Sequence, residues 1–249
     1  MLFTGAGFSA EAKDREGRSV PDSTQMICEL WSMLFGDEPR DGSSLADLYD
    51  VALQQKPDEL REYLSNRLRI GDAPLPAWFG AWFAAPWQRI YTLNVDDLEV
   101  AIARQFTLPR PLVSVSALSD GRERDDDALE VIHLNGMVGD DPWHVTFSTM
   151  QYAARLCTPD RAYEQLVEDL RSRPFVFVGT KLDEVVLWKH VQLERQHNND
   201  TPRRHSFLIA PSLDRARQAL LASHRIHWVG ATAQDVAQRV LVAPGVRQP

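Results

Sequence analysis

Cysteine is nearly absent: Cys28 and Cys157 are the only two in 249 residues. Two thiols so far apart exclude a four-cysteine zinc site and give no disulfide framework. Long apolar runs are missing too. The most hydrophobic stretch, PLPAWFGAWFAAPWQRI at 74–90, is broken by prolines and falls short of the ~20 residues that cross a bilayer. Residues 1–10 lack the basic start and long apolar core of a signal peptide. Grouped cations are also scarce. The formal net charge is −8, and Arg203-Arg204 and the arginines of 104–124 are sparse or mixed with acids. A nucleic-acid face needs clustered phosphate-binding cations. These absences point to a cytoplasmic chain without membrane or direct nucleic-acid contact, whose partners are small molecules or other proteins.

What is present suffices for a core. Hydrophobic residues make up 44% and charged residues 25%, ordinary values for a globular domain. The length fits a single domain over 1–249. The Trp78, Trp82 and Trp87 cluster is expected under a sheet, in a short helix that Pro86 ends, rather than on a docking patch.

Strand-length apolar runs alternate with helical patterns. Strands are expected at 1–4, 89–93, 129–134, 143–147, 174–179, 206–211 and 225–230. Helices are expected at 24–35, 44–54, 58–68, 96–106, 160–171, 183–196, up to 221 and at 233–241. Ser43 or Ser44, and Asp58, suit N-caps. The stretch 119–127, SDGRERDDD, reads as a solvated loop. Residues 242–249 read as a tail or linker. The alternation predicts an α/β fold with a doubly wound, mostly parallel sheet. Residues 24–86 are too long for one crossover and suggest a helical insert.

Ligands of open parallel sheets bind outside the carboxyl ends of the strands. Four such ends carry unusual residues. Gly5-Ala6-Gly7-Phe8-Ser9 permits close approach of a phosphate to backbone N–H groups. Asn94 and Asp96 close a second apolar run, where Asp96 or Asp97 could also cap the next helix. His133 and Asn135 share one strand face, ~6.6 Å apart along it, just before Gly136. Gly179-Thr180 introduces Asp183, either a helix cap or an acceptor for a ribose hydroxyl.

These ends together resemble the sirtuin-like NAD-binding family. GAGFS is similar to its first nucleotide loop, and VPDS at 20–23 to the proline-containing segment after it. IYTLNVDDLEVA resembles the T-x-N-x-D-x-L element, and VIHLNGMV the strand ending in His-Gly. VTFSTMQYAARL and FVFVGTKLDE resemble later segments. The matches run in family order to about residue 190. The chain departs twice. It lacks the four zinc cysteines of deacetylating members, so it looks more like the zinc-free bacterial domains that hydrolyse NAD, often as antiphage defence effectors. And Asn135 stands where the family histidine precedes glycine, with His133 two residues earlier.

The resemblance implies NAD as substrate, no metal, and cleavage of the nicotinamide–ribose bond. Gly5, Ala6, Gly7, Phe8 and Ser9 would hold the pyrophosphate. Asn94 would orient the ribose or water, and His133 would accept a proton. Asp96 and Asn135 would lie by the nicotinamide ribose, and Gly179, Thr180 and Asp183 at the adenosine end. It also implies a homo-oligomer or an associated defence module. The other reading is a catalytically silent module binding NAD or ADP-ribose, in which Asn135 marks a lost base. Deacylation would need an acyl-lysine channel without the zinc ribbon.

Overall fold

Short apolar runs become strands in this protein, and the polar or glycine residues after them become loops at one end of the sheet. The computed structural model describes residues 1–118, 127–197 and 204–241. The acidic stretch 119–126 and the tail 242–249 lie outside the described residues. In chain order the elements are β1 (Leu2–Thr4), α1 (Ala6–Ser9), α2 (Ser23–Phe35), α3 (Leu45–Gln55), α4 (Pro57–Arg67), α5 (Ala77–Ala84), β2 (Ile90–Thr92) and α6 (Leu98–Gln105). There follow β3 (Leu112–Ser116), β4 (Leu129–His133), α7 (Thr149–Cys157), α8 (Arg161–Ser172), β5 (Val176–Val178) and α9 (Val185–His197). The chain then runs through β6 (Ser206–Ala210), α10 (Arg215–Ser223), β7 (Ile226–Gly230) and α11 (Ala233–Val236).

All seven strands are parallel, in the order β3-β4-β2-β1-β5-β6-β7. From β1 the chain first builds towards β3, then returns to the other side of β1 with β5. The β1–β5 boundary is therefore the switch point, where such sheets open a crevice. The register sets Thr4 beside Thr92 and Val178, so residues 5, 93 and 179 leave the sheet together.

Both faces of the sheet are covered, which is why β1 reads as a continuous apolar run. Leu2 joins one cluster with Trp31, Tyr49 and Trp82 from α2, α3 and α5. Phe3, pointing the opposite way, joins Tyr163, Leu166 and Val186 from α8 and α9. The aromatic run of α5 is buried, and Phe8 packs edge-on to Trp78, Phe79 and Trp82 at 5.4–6.0 Å between ring centroids.

Several local expectations are corrected. Residues 143–147 form no strand. Asp141 and Pro142 wind them into a turn, with Trp143 N donating to Asp141 Oδ1 at 3.0 Å and His144 N to Asp141 O at 2.7 Å. Asp58 is no cap: α4 starts at Pro57, whose ring suits the first helical position. Ser44 does cap α3, accepting from Asp47 N. Three elements escaped the sequence reading, the one-turn helix α1, the edge strand β3 and helix α7. Ser148 and Gln151 form a reciprocal capping box at the start of α7.

Candidate functional site

The switch point is built from glycines in contact. Gly5 N donates to Val178 O at 3.1 Å, and Gly7 N to Gly179 O at 3.0 Å. A Cβ on Gly5 would lie 2.7 Å from Gly179 O, and one on Gly179 would lie 2.2 Å from Phe8 N. Gly179 also has φ +70°, a conformation glycine adopts at little cost. The first loop therefore needs glycine to abut the loop after β5. This corrects the expectation of a cradle formed by five free backbone donors. Gly5, Gly7 and Phe8 spend their N–H groups inside the fold.

A cavity of about 400 Å³ opens at this junction. Of the residues expected at a site, Gly5, Ala6, Asn94, Asp96, Asn135, Gly179, Thr180 and Asp183 line it. Val20 and Pro21 of the VPDS segment form part of its wall, as do Tyr152, Lys181 and Glu184. Gly7, Phe8, Ser9 and His133 do not line it. Phe8 is core, held by the α5 aromatics. Ser9 sits behind the wall: its hydroxyl accepts from Asn94 Nδ2 at 2.7 Å and donates to Asp96.

That bond fixes which way the Asn94 amide faces. Its nitrogen is used, and its Oδ1 is buried without a donor among the described residues. An orphaned buried acceptor costs free energy unless a ligand or water meets it. Asp96 is 5% exposed, and burial pushes its carboxyl up to about 7, reinforced by Glu99 and opposed by the bond from Ser9. Asp96 Oδ1 also accepts from Leu98 N at 3.2 Å. Asp97 does take the N-cap position of α6, its carbonyl accepting from Ala101 N, but its carboxylate accepts from Ile70 N at 2.7 Å and gives the helix no side-chain cap.

His133 has a different setting from the one expected. It is fully buried, with Nδ1 2.9 Å from Asn94 O and Nε2 3.1 Å from Glu99 Oε1. Both partners are acceptors, so both ring nitrogens carry hydrogen. Burial opposes that charge, but the Glu99 carboxylate outweighs it and raises the His133 pKa. Glu99 is pushed up by burial and pulled down further by His133, ending below its ordinary value. A ring already holding two protons cannot take another, so His133 in this state is no proton acceptor.

Asn135 is anchored from behind. Its Nδ2 donates to Leu93 O at 3.2 Å, and Arg155 Nη1 reaches its Oδ1 at 3.4 Å. Tyr152 is hydrogen-bonded with it as well. Arg155 pairs with Asp160 at 2.6 Å and lies 5.0 Å over the Tyr163 ring.

Opposite signs of charge thus meet in one cleft. Lys181 stands at the wall with Asp96, Asp183 and Glu184. Glu184 and Tyr152 were missed by the sequence reading. Glu184 directly follows Asp183, and an acid at a helix start is read as a cap; two in succession after a glycine turn were the available signal. Among the described residues, no three His, Cys, Asp or Glu side chains converge to hold a metal ion, and no helix is long and apolar enough to cross a membrane.

Fold and cleft together define a doubly wound α/β domain with a cavity at the β1–β5 switch point. The SIR2-like domain family matches residues 88–229, more than half of the chain. The protein belongs to this SIR2-like, sirtuin-related family, whose members use NAD. No curated protein matches the chain.

Proposed function

We propose that the chain binds NAD in the switch-point cavity and hydrolyses its nicotinamide–ribose bond. The observation that carries this reading is Asn94, whose amide nitrogen is held by Ser9 while its Oδ1 is left unpartnered at the wall of the switch-point cavity. An acceptor fixed in that way would take a hydrogen bond from an attacking water or a ribose hydroxyl. Gly5, Ala6, Gly179 and Thr180 leave room for the pyrophosphate beside the backbone. Gly7 and Phe8 would act by packing this loop, and Ser9 by orienting Asn94. Asp183 would accept from the adenosine ribose, and Asn135 would flank the nicotinamide ribose.

The leaving nicotinamide is cationic, so it departs with the C–N electron pair and needs little acid. Positive charge then grows on the ribose, as in other glycosyl cleavages. Ionised Asp96 would face that charge from a largely dry wall, where fixed charges act strongly. With its carboxyl raised to about 7, Asp96 is part-ionised near neutrality, and turnover should rise as pH climbs through that value.

Nicotinamide release from NAD, followed chromatographically, tests the reading. Asn94→Ala should bind NAD nearly as wild type does and release nicotinamide ~100-fold more slowly. Intact NAD binding with no release by wild type, in any oligomeric state, would sink the hydrolase. The assay has to span oligomeric states, because we also propose that the chain works as a homo-oligomeric or partnered antiphage defence effector.

One observation favours a second reading, a silent NAD- or ADP-ribose-binding module: His133 is locked to Glu99, and Asn135 would stand where the resemblance sets the family histidine. Tight calorimetric binding without turnover would be its signature.

A further inference from the structure

The reaction just proposed leaves a proton without an acceptor. Hydrolysis attaches water oxygen to the ribose carbon as the carbon–nitrogen bond breaks. The electron pair of that bond leaves with the nicotinamide, and one water proton has to go elsewhere. His133 already carries two protons. Asn135 has an amide, which takes none at ordinary pH.

The loop after β5 offers a carboxyl. Leu182 has φ +55° although it is fully buried, a conformation that a non-glycine residue keeps only where its surroundings impose it. The surroundings enforce it. Leu182 N donates to Thr180 Oγ1 at 3.0 Å, and Leu182 O accepts from Trp188 Nε1 at 2.6 Å and Arg217 Nη1 at 3.4 Å. The turn buries Leu182 and leaves Asp183 and Glu184 at the cavity wall. Glu184 caps α9 through its backbone, with Trp188 N donating to its carbonyl at 3.2 Å. Among the described residues, no hydrogen bond ties up its side chain.

We propose that Glu184 is the proton acceptor of this cavity, filling the duty left open where Asn135 replaces the family histidine; the assignment rests on the hydrolase reading above. Water bonded to Asn94 would lose its proton to the Glu184 carboxylate, which returns it to solvent. The charged and titratable groups around Glu184 are Asp183 beside it, Arg155, Tyr152 and Tyr163 from α7 and α8, and Lys181 and Asp96 at the same cavity. Burial foremost, and Asp183 next, push its carboxyl up to about 6 against the pull of Arg155. A base in that range is ionised at neutral pH and still basic enough to act.

The test compares wild type with Glu184→Gln by calorimetry with NAD and by nicotinamide release between about pH 5 and 8. The Gln variant should bind NAD within about threefold of wild type and turn over ~100-fold more slowly. Below about pH 6 the slope of log rate against pH should fall from about two to about one, since only Asp96 still has to ionise. Glu184→Asp should recover part of the rate. With no NAD present, carboxyl-carbon NMR of wild type should show a resonance titrating at about 6 that the Gln variant lacks. Unchanged release, weaker binding that by itself explains slower release, or a Glu184 carboxyl titrating in the ordinary glutamate range overturns the assignment. If wild type binds NAD and releases nothing, the hydrolase reading falls and the assignment with it. Wild-type release thus separates the two failures.

Discussion

His133→Ala would strand Glu99 as a buried carboxylate without its counter-ion. Breaking one side of such a pair costs about 3–5 kcal/mol. The pH dependence follows from both shifts. The folded His133 pKa lies above its ordinary 6.5, so its contribution is full below 6.5 and fades as pH rises through the raised value. The folded Glu99 pKa lies below its ordinary 4.5, so its contribution is full above 4.5 and fades as pH falls through the lowered value. The penalty of His133→Ala should therefore peak between these ordinary values and shrink in alkali. Urea unfolding of both proteins near pH 5.5 and 9 would measure it, and an equal penalty at both would contradict the charged pair. Sequence reading singled out His133 as a proton acceptor, whereas its ring is engaged by Asn94 O and Glu99. His133 and Glu99 lie 34 residues apart, and no local pattern announces a salt bridge between a strand end and a helix on the neighbouring crossover.

At the level of elements, the interlocked loops after β1 and β5 make Gly179→Ala the most telling substitution. The added methyl would meet backbone at Phe8 N, at a φ of +70° that alanine disfavours. A loss of at least about 1–3 kcal/mol is expected from the backbone conformation alone, together with weaker NAD binding. Thermal unfolding and calorimetry on the one variant would show both, and near-wild-type stability would mean that the loops can part. The glycines themselves were legible in the sequence, but their reason was not. A phosphate cradle and a close loop contact both call for glycine, and only the partner loop, more than 170 residues away in sequence, tells them apart. Helices with a clear apolar stripe, such as α2 and α8, were legible within a residue or two. Strand β3 was not: its Leu-Val-Ser-Val-Ser pattern is half-buried from Leu112 to Val115, as befits an edge, with only Ser116 buried. The turn at 142–144 was misread because Val145 and Phe147 look like alternation while Asp141 and Pro142 fix the backbone.

For the molecule as a whole, the alternation of runs was enough to foresee a doubly wound sheet, and hence that a site would lie at strand ends. The strand order, which puts β5 next to β1, was not readable. It depends on which pairs of strands bury the most together. Long-range ion pairs tie the helices of the β1–β2 crossover to one another and to the segment after the first loop. Arg67 of α4 bridges Asp14, just after the first loop, and Glu29 of α2. A ligand seated between these parts binds the folded state alone. NAD at ~100 times its dissociation constant should therefore raise global stability by about 2.7 kcal/mol. Scanning calorimetry with and without NAD would register the shift, and an unmoved transition at saturating NAD would argue against a site formed by the native sheet.

The hydrogen bond from Gly7 N to Gly179 O has a consequence for motion. It joins the turns that follow two adjacent strands of the sheet centre, so neither turn can swing outward while the other stays. Entry of a large ligand must then come from the other walls, to which Val20, Pro21 and Tyr152 belong. The junction beneath behaves as a fixed anvil, and the adaptable jaws are the segments arranged around it.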